Sequence, residues 1–374
     1  MRKVGIMSMQ RIANYGSFLQ AYALKQLIEE VGCNVEFVDY HVGAPVIAEN
    51  ADSKNKVVRK IKKGLETFRY RAPLAHKLSF IRYKQSFAQK YMPLLGIADE
   101  MNYNPTVDCL VIGSDEVFNC IQKNSNVGYS PELFGKNNHA KKLITYAASF
   151  GNTTLVKLEK YKKTDEVGAL LKKFDAISVR DANSGAIVEQ LTGKEPLYNL
   201  DPVLTYDYMN CCDKIPQVQT NEKYLILYAY AGRISNEEAD WISDYAKKKK
   251  LKVYAIGGIQ KCADRFVDCS PFEVLAYFRN AEEVITDTFH GSIFSVITHR
   301  PFTTLIRKSV GNSYGNEEKL SDLLKRLKLA DRMTTKIEDA ENINEKTIDY
   351  AKVDELLKAH REVAKEYLRK NLEG

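Results

Sequence analysis

The chain has 374 residues, 44% hydrophobic and 28% charged, an ordinary globular composition whose length suggests two domains. Its formal net charge of +7 suits an anionic substrate, a nucleic acid or an acidic membrane surface. The absence of zinc-finger spacing, an RNP motif or a heptad-linked basic region sets nucleic acid aside. No apolar run reaches the roughly 18 residues a spanning helix needs, which excludes a membrane-crossing segment.

Residues 3–9 read as a buried strand, followed by the loop Arg11-Ile12-Ala13-Asn14-Tyr15-Gly16-Ser17. The run Met1-Arg2-Lys3-Val4-Gly5-Ile6-Met7 is too short for a signal-peptide core, so a cytoplasmic protein is expected. A helix is predicted from about Ser17 to Val31, with Leu24, Leu27, Ile28 and Val31 on one face and Gly32 as its stop. A strand at Asn34–Tyr40 completes a βαβ unit and implies a parallel sheet. Residues 50–92 differ: twelve Lys and Arg alternate with Phe68, Tyr70, Phe80, Tyr83 and Tyr91. They read as a helical excursion whose basic face is simply solvated or meets anionic lipid or a lipid diphosphate, with nucleic acid as a third choice.

The α/β pattern resumes with strands at Asp108–Gly113 and Leu143–Ala148. A helix near 155–173 and a short strand at Ala176–Val179 come next, and the strand ends at Arg180-Asp181. Residues 1–205 thus form a first Rossmann-like domain interrupted by the excursion, and 206–222 read as a linker. A second such domain, 223–348, opens with strands at Lys223–Ala229 and Leu251–Ile256. Its helix Pro271–Arg279 leads to strand Glu283–Thr286, the turn Asp287-Thr288-Phe289-His290-Gly291-Ser292, a helix through Ile293–Thr298 and a strand at Phe302–Ile306. Residues 349–374 carry a last helix, with Val353, Leu356, Leu357, Ala364, Tyr367 and Leu368 on one face, packing back on the body. The expected class is α/β, two facing Rossmann-like domains with an interdomain cleft and a C-terminal helix.

Ligands of such sheets sit beyond the carboxyl ends of the strands, so the turns after strands are where chemistry is expected. Asn14, Gly16 and Ser17 open the first helix and offer either an anion-binding N-terminus or a tight turn capped by Ser17. Gly113, Ser114 and Asp115 end a strand, as a turn cap or as partners for sugar hydroxyls. Arg180 either grips a ligand phosphate or carboxylate in two-point fashion or pairs internally with Asp181 or another acid. A histidine side chain can donate or accept a proton near neutral pH, which makes His290 the best candidate acid or base. Asp287 either orients it or caps the next helix, and Gly291 and Ser292 stand beside it. Arg307 and Lys308 follow the last strand, with Asn316 and Lys319 behind them. No other His, Cys or Asp keeps metal-ligand spacing with His290, and the seven cysteines contain no Cys-x-x-Cys pair, so reduced thiols and no metal are expected.

The ordered motifs Asn14-Tyr15-Gly16, Val111-Ile112-Gly113-Ser114-Asp115-Glu116-Val117-Phe118-Asn119, Ser178-Val179-Arg180-Asp181, Asp201-Pro202-Val203-Leu204 and Val284-Ile285-Thr286-Asp287-Thr288-Phe289-His290-Gly291 resemble those of the polysaccharide pyruvyl transferases. Arg300-Pro301-Phe302 follows in the same order, and the match spans most of residues 3–325. The family's usual Gln and Trp after Gly-Ser-Asp are Glu116 and Phe118 here, and its common Ser before Phe-His is Thr288. The resemblance implies a GT-B-like fold, no cofactor, phosphoenolpyruvate as donor and a sugar or lipid-linked oligosaccharide as acceptor. It carries Arg180 and His290 over as catalytic residues and Lys308 by position alone. The product would be a pyruvate ketal on a capsular or other surface polysaccharide; the basic segment 50–92, whose own residues suggest peripheral membrane contact, and the final helix fall outside the resemblance. The rival readings are a nucleotide-sugar glycosyltransferase of GT-B type and a non-catalytic scaffold of a polysaccharide assembly complex.

Overall fold

A computed structural model describes residues 1–47, 66–122, 126–308 and 316–373. The cations at Lys54, Lys56, Arg59, Lys60, Lys62 and Lys63, expected within the basic excursion, lie outside those residues. The described chain divides into two compact units. The first comprises 1–50, 92–207 and 355–374, and the second 51–91 and 208–354.

The first unit is built on the parallel sheet β2-β1-β3-β4-β5-β6. Its strands are β1 Lys3–Met7, β2 Asn34–Phe37, β3 Cys109–Asp115, β4 Lys142–Ala148, β5 Ser178–Val179 and β6 Leu197–Tyr198. The inner strands are apolar on both faces, as a sheet covered by helices requires. Helix α1, Tyr15–Glu30, crosses from β1 to β2 and starts two residues earlier than the apolar periodicity suggests. Its cap is Asn14, whose side chain accepts from the Gly16 amide at 2.7 Å, rather than Ser17. Such a cap contributes about 1 kcal/mol.

The single helix expected at 155–173 is two, α2 Leu155–Lys160 and α3 Thr164–Leu171, because Lys162 takes a left-handed conformation at φ 54°. Phe118 stacks on Phe134 with centroids 4.7 Å apart and meets Phe150 at 5.2 Å in a fully buried cluster. Each such ring contributes roughly 1.5–3 kcal/mol by leaving water.

The second unit carries the parallel sheet β12-β11-β10-β7-β8-β9. The strands are β7 Tyr224–Tyr228, β8 Lys252–Ile256, β9 Arg265–Phe266, β10 Glu283–Thr286, β11 Phe302–Leu305 and β12 Met333–Thr334. Read from its first strand outward, this is the order 3-2-1-4-5-6 of a dinucleotide-type doubly wound sheet. Helix α4, Asn236–Lys249, follows β7 behind a capping box made by Ser235 and Glu238. Helix α5, Pro271–Asn280, leads into β10, and α6, Phe289–Ile297, leads out of it. Helix α7, Leu74–Tyr91, makes up most of the described part of the basic excursion, 66–92. It belongs to this unit because Phe80 and Tyr83 pack on Phe266 of β9.

The last helix, α8, runs Tyr350–Leu372. Its Tyr367 hydroxyl donates to the Thr145 carbonyl of the first unit at 2.7 Å. Among the described residues no helix is long and apolar enough to cross a membrane. None of the seven cysteines forms a disulfide.

Candidate active site

The strand order of each sheet reverses once, and the crevice at that reversal is where ligands of doubly wound sheets bind. In the first unit the reversal falls between β1 and β3. The turns singled out from the sequence meet there: the Ser17 hydroxyl donates to Asp115 at 3.2 Å, and the Ser8 hydroxyl donates to the Ser114 carbonyl at 3.0 Å. Gly113 has φ 130°, and a Cβ there would overlap the Tyr146 carbonyl oxygen, so strand pairing itself demands glycine. Ser114 is fully buried, its hydroxyl donating to the Ala147 carbonyl at 3.3 Å. Asp115 keeps a little solvent contact and also accepts from the Glu116 amide at 2.9 Å.

Arg180, expected to grip an anionic ligand or an internal acid, lies within this unit and grips the protein's own carboxylates. It donates to Asp201 at 3.0 Å and to Asp115 at 3.3 Å. Burial pulls its pKa down, but the fields of Asp115, Asp201, Glu116 and Asp181 outweigh that and raise it. Asp181 is not the ion-pair partner at hydrogen-bond range. It caps helix α9, Ala182–Thr192, accepting from the Ser184 amide at 2.8 Å and from the Ser149 hydroxyl at 2.6 Å. Four acids surround this one arginine, so its charge is met within the protein. Glu116, which departs from the family pattern, is one of those acids.

In the second unit the reversal falls between β7 and β10. His290 is the second residue of α6, partly exposed, with Nε2 buried and its ring edge-on to Phe289 at 5.5 Å. The helix cap is Thr288, whose hydroxyl accepts from the Gly291 amide at 2.9 Å, and not Asp287. A Cβ on Gly291 would overlap the Thr286 hydroxyl, so this glycine serves the tightness of the turn. Ser292 points inward and shares a hydrogen bond with Thr304 of β11 at 2.8 Å.

Asp287 has no solvent exposure, and neither of its carboxylate oxygens accepts a hydrogen bond among the described residues. It therefore does not orient His290 through a hydrogen bond. Burial raises its pKa, and the charges of Arg233 and Arg307 offset that only in part.

Arg233, in the turn after β7, is not among the residues the sequence singles out. Its Nη1 lies 3.7 Å from Asp287, its guanidinium sits 4.6 Å from the Tyr230 ring centroid, and a third of its side chain is exposed. The available signal was position alone: β7 opens the second unit, and the turn after an opening strand borders the reversal. Arg307 makes a two-pronged pair with Glu238 at 2.5 and 3.0 Å. Lys308 is exposed just beyond β11. Asn316 ties this edge together, donating to the Asp287 carbonyl at 2.6 Å and to the Leu305 carbonyl at 3.2 Å. No group of three or more His, Cys, Asp or Glu residues among those described is arranged to hold a metal.

Comparison with known proteins adds the following. The structure is similar to the S. aureus MnaA–UDP complex at 10% identity and TM-score 0.48, over 96% of this chain and 90% of that one. It is similar to the UDP-GlcNAc 2-epimerase of Methanocaldococcus jannaschii at 10% identity and TM-score 0.49, over 93% of each chain. The spinosyn rhamnosyltransferase SpnG matches at 9% identity and TM-score 0.41, over 99% of this chain and 95% of that one. No curated protein matches in sequence. Residues 14–309 match the family described as polysaccharide pyruvyl transferase, which is most of the chain and contains every turn discussed above. The chain belongs to the polysaccharide pyruvyl transferase family.

Proposed function

We propose that the chain transfers a pyruvyl group from phosphoenolpyruvate to two hydroxyls of a sugar, forming a ketal on a surface-polysaccharide precursor. The observation that carries this reading is His290 in the first turn of α6, at the sheet reversal of the second unit, inside the stretch shared with the family. The reaction adds one proton to the methylene carbon of the donor, making a methyl group. It forms two C–O bonds at the neighbouring carbon and breaks that carbon's bond to phosphate. Of the two hydroxyl protons given up, one balances the new methyl group and one leaves on phosphate.

His290 is the residue suited to deliver the proton to carbon, since an imidazole exchanges protons near neutral pH. Arg233 and Lys308 bring positive charge to the same edge and suit a donor bearing phosphate and carboxylate. At the edge of the first unit, Asp115 and Ser17 offer acceptors for sugar hydroxyls. Arg180 holds Asp115 in place there and acts as a positioning residue. GT-B-like architecture, a cytoplasmic setting and a reaction without cofactor belong to the same proposal.

Equilibrium binding tests the donor assignment directly. Phosphoenolpyruvate should bind and UDP-sugars should not compete, whereas competition by a UDP-sugar with no phosphoenolpyruvate binding supports a nucleotide-sugar enzyme instead.

A further inference from the structure

We propose that the outward face of α7, with the residues leading into it, docks on a bilayer containing anionic lipid. Residues 66–92 hold six cations, Arg69, Arg71, Lys77, Arg82, Lys84 and Lys90, against one acid, the exposed Glu66. The inner face of the helix is fixed by packing: Phe80, Tyr83 and Phe87 are buried, and Phe80 and Tyr83 meet Phe266 at 5.6 and 6.2 Å. At about 100° per residue, the face opposite that aromatic row is the one carrying Leu74 and Leu78, one turn apart. They are 62% and 44% exposed, and Phe68 just before the helix is 46% exposed. Three large apolar side chains thus stand in water on a segment whose cations outnumber its acids six to one.

The cations border this row instead of interrupting it. Lys77 donates to the Phe68 carbonyl at 3.0 Å, and the Lys84 ammonium lies 5.6 and 5.2 Å from the Phe80 and Tyr83 rings. Lys84 thus covers the buried aromatic row, while Lys77 stands between that row and the leucines, where a long stem can carry its charge toward phosphate. Arg82 and Lys90 are partly offset by Asp268, which feels both. The other end carries Arg69, Arg71 and Lys77 against Glu66 and against Asp264 beside His76, and it is the end that carries the exposed apolar residues.

A nucleic acid would seek stacking surfaces, but the aromatic rings of α7 face inward and the exposed row is mostly leucine. An acidic protein would satisfy the cations without covering the leucines. Anionic lipid satisfies both, with the helix lying in the plane of the interface. This proposal does not depend on the reaction assigned to the site.

The test is flotation of the full chain with vesicles of phosphatidylcholine, with and without phosphatidylglycerol. The expected result is recovery on the anionic vesicles only, weakened by added salt as charge screening shortens. Two surface variants, Leu74→Ser/Leu78→Ser and Arg69→Glu/Arg71→Glu, should each reduce recovery by roughly tenfold or more while leaving the thermal midpoint unchanged. No flotation on either vesicle, equal flotation on both, or variants that bind like wild type would overturn the proposal. So would retention on nucleic acid with none on vesicles.

Discussion

Arg233 and Asp287 stand 3.7 Å apart at the sheet reversal of the second unit, the carboxylate fully buried and the arginine one-third exposed. The distance is too long for a hydrogen bond, so the acid influences the arginine through its field. This sets a positively charged fork over the Tyr230 ring, against the turn that leads to His290.

Replacing Arg233 with Ala should therefore weaken donor binding more than it slows the chemical step. A charge-assisted contact contributes about 1.5–3 kcal/mol, so KM for phosphoenolpyruvate should rise by roughly 10- to 100-fold with a smaller change in kcat. Steady-state kinetics with varied donor check this. An unchanged KM removes Arg233 from the donor site.

Asp287 makes a pH-dependent contribution whose sign follows from burial. Its pKa is raised in the folded chain, so the folded state keeps this proton to higher pH than the unfolded state does. Stability from this group is complete below the ordinary carboxylate range and is lost as pH rises through the raised value. Asn at 287 does not titrate. The thermal midpoint of Asp287→Asn relative to wild type should therefore be more favourable at pH 8 than at pH 4. A difference that is flat or of opposite sign contradicts the assignment.

Arg180→Met should destabilise the fold by about 3–5 kcal/mol, because it leaves the buried Asp201 and the largely covered Asp115 without their shared counter-ion. Denaturant titration measures this loss. A variant as stable as wild type would mean that the pair is not what holds these acids.

Gly291→Ala should cost about 1–3 kcal/mol and lower activity with it, since the added methyl overlaps the Thr286 hydroxyl and must displace the turn carrying His290. Parallel measurement of thermal midpoint and turnover checks the link between the two.

How far these features were legible in the sequence depended on their range. Apolar runs such as Val284-Ile285-Thr286 declared the strands, and the rule of strand ends brought His290 forward. Local chemistry misled where two capping residues competed: Asn14 and Ser17 both suit an N-cap, and Asp287 and Thr288 likewise. Helix α4 went unread although Ser235 and Glu238 spell its start, because its sequence is dominated by charge. Strands β6, β9 and β12 are two residues long and carry no periodicity. The partnerships of Arg180 with Asp201 and of Arg307 with Glu238 join residues 21 and 69 positions apart, which only the fold brings together. Arg233 stayed hidden for the same reason, its meaning resting on the adjacency of β7 and β10.

The central claim is most directly tested by incubating the protein with phosphoenolpyruvate and a glycoside carrying two adjacent hydroxyls, beside the His290→Ala variant. Wild type should release one phosphate for each glycoside that gains one pyruvate less one water. The variant should fold normally and turn over about 10²- to 10⁴-fold more slowly. Phosphate release without that mass gain, or near-normal turnover by the variant, would contradict the account.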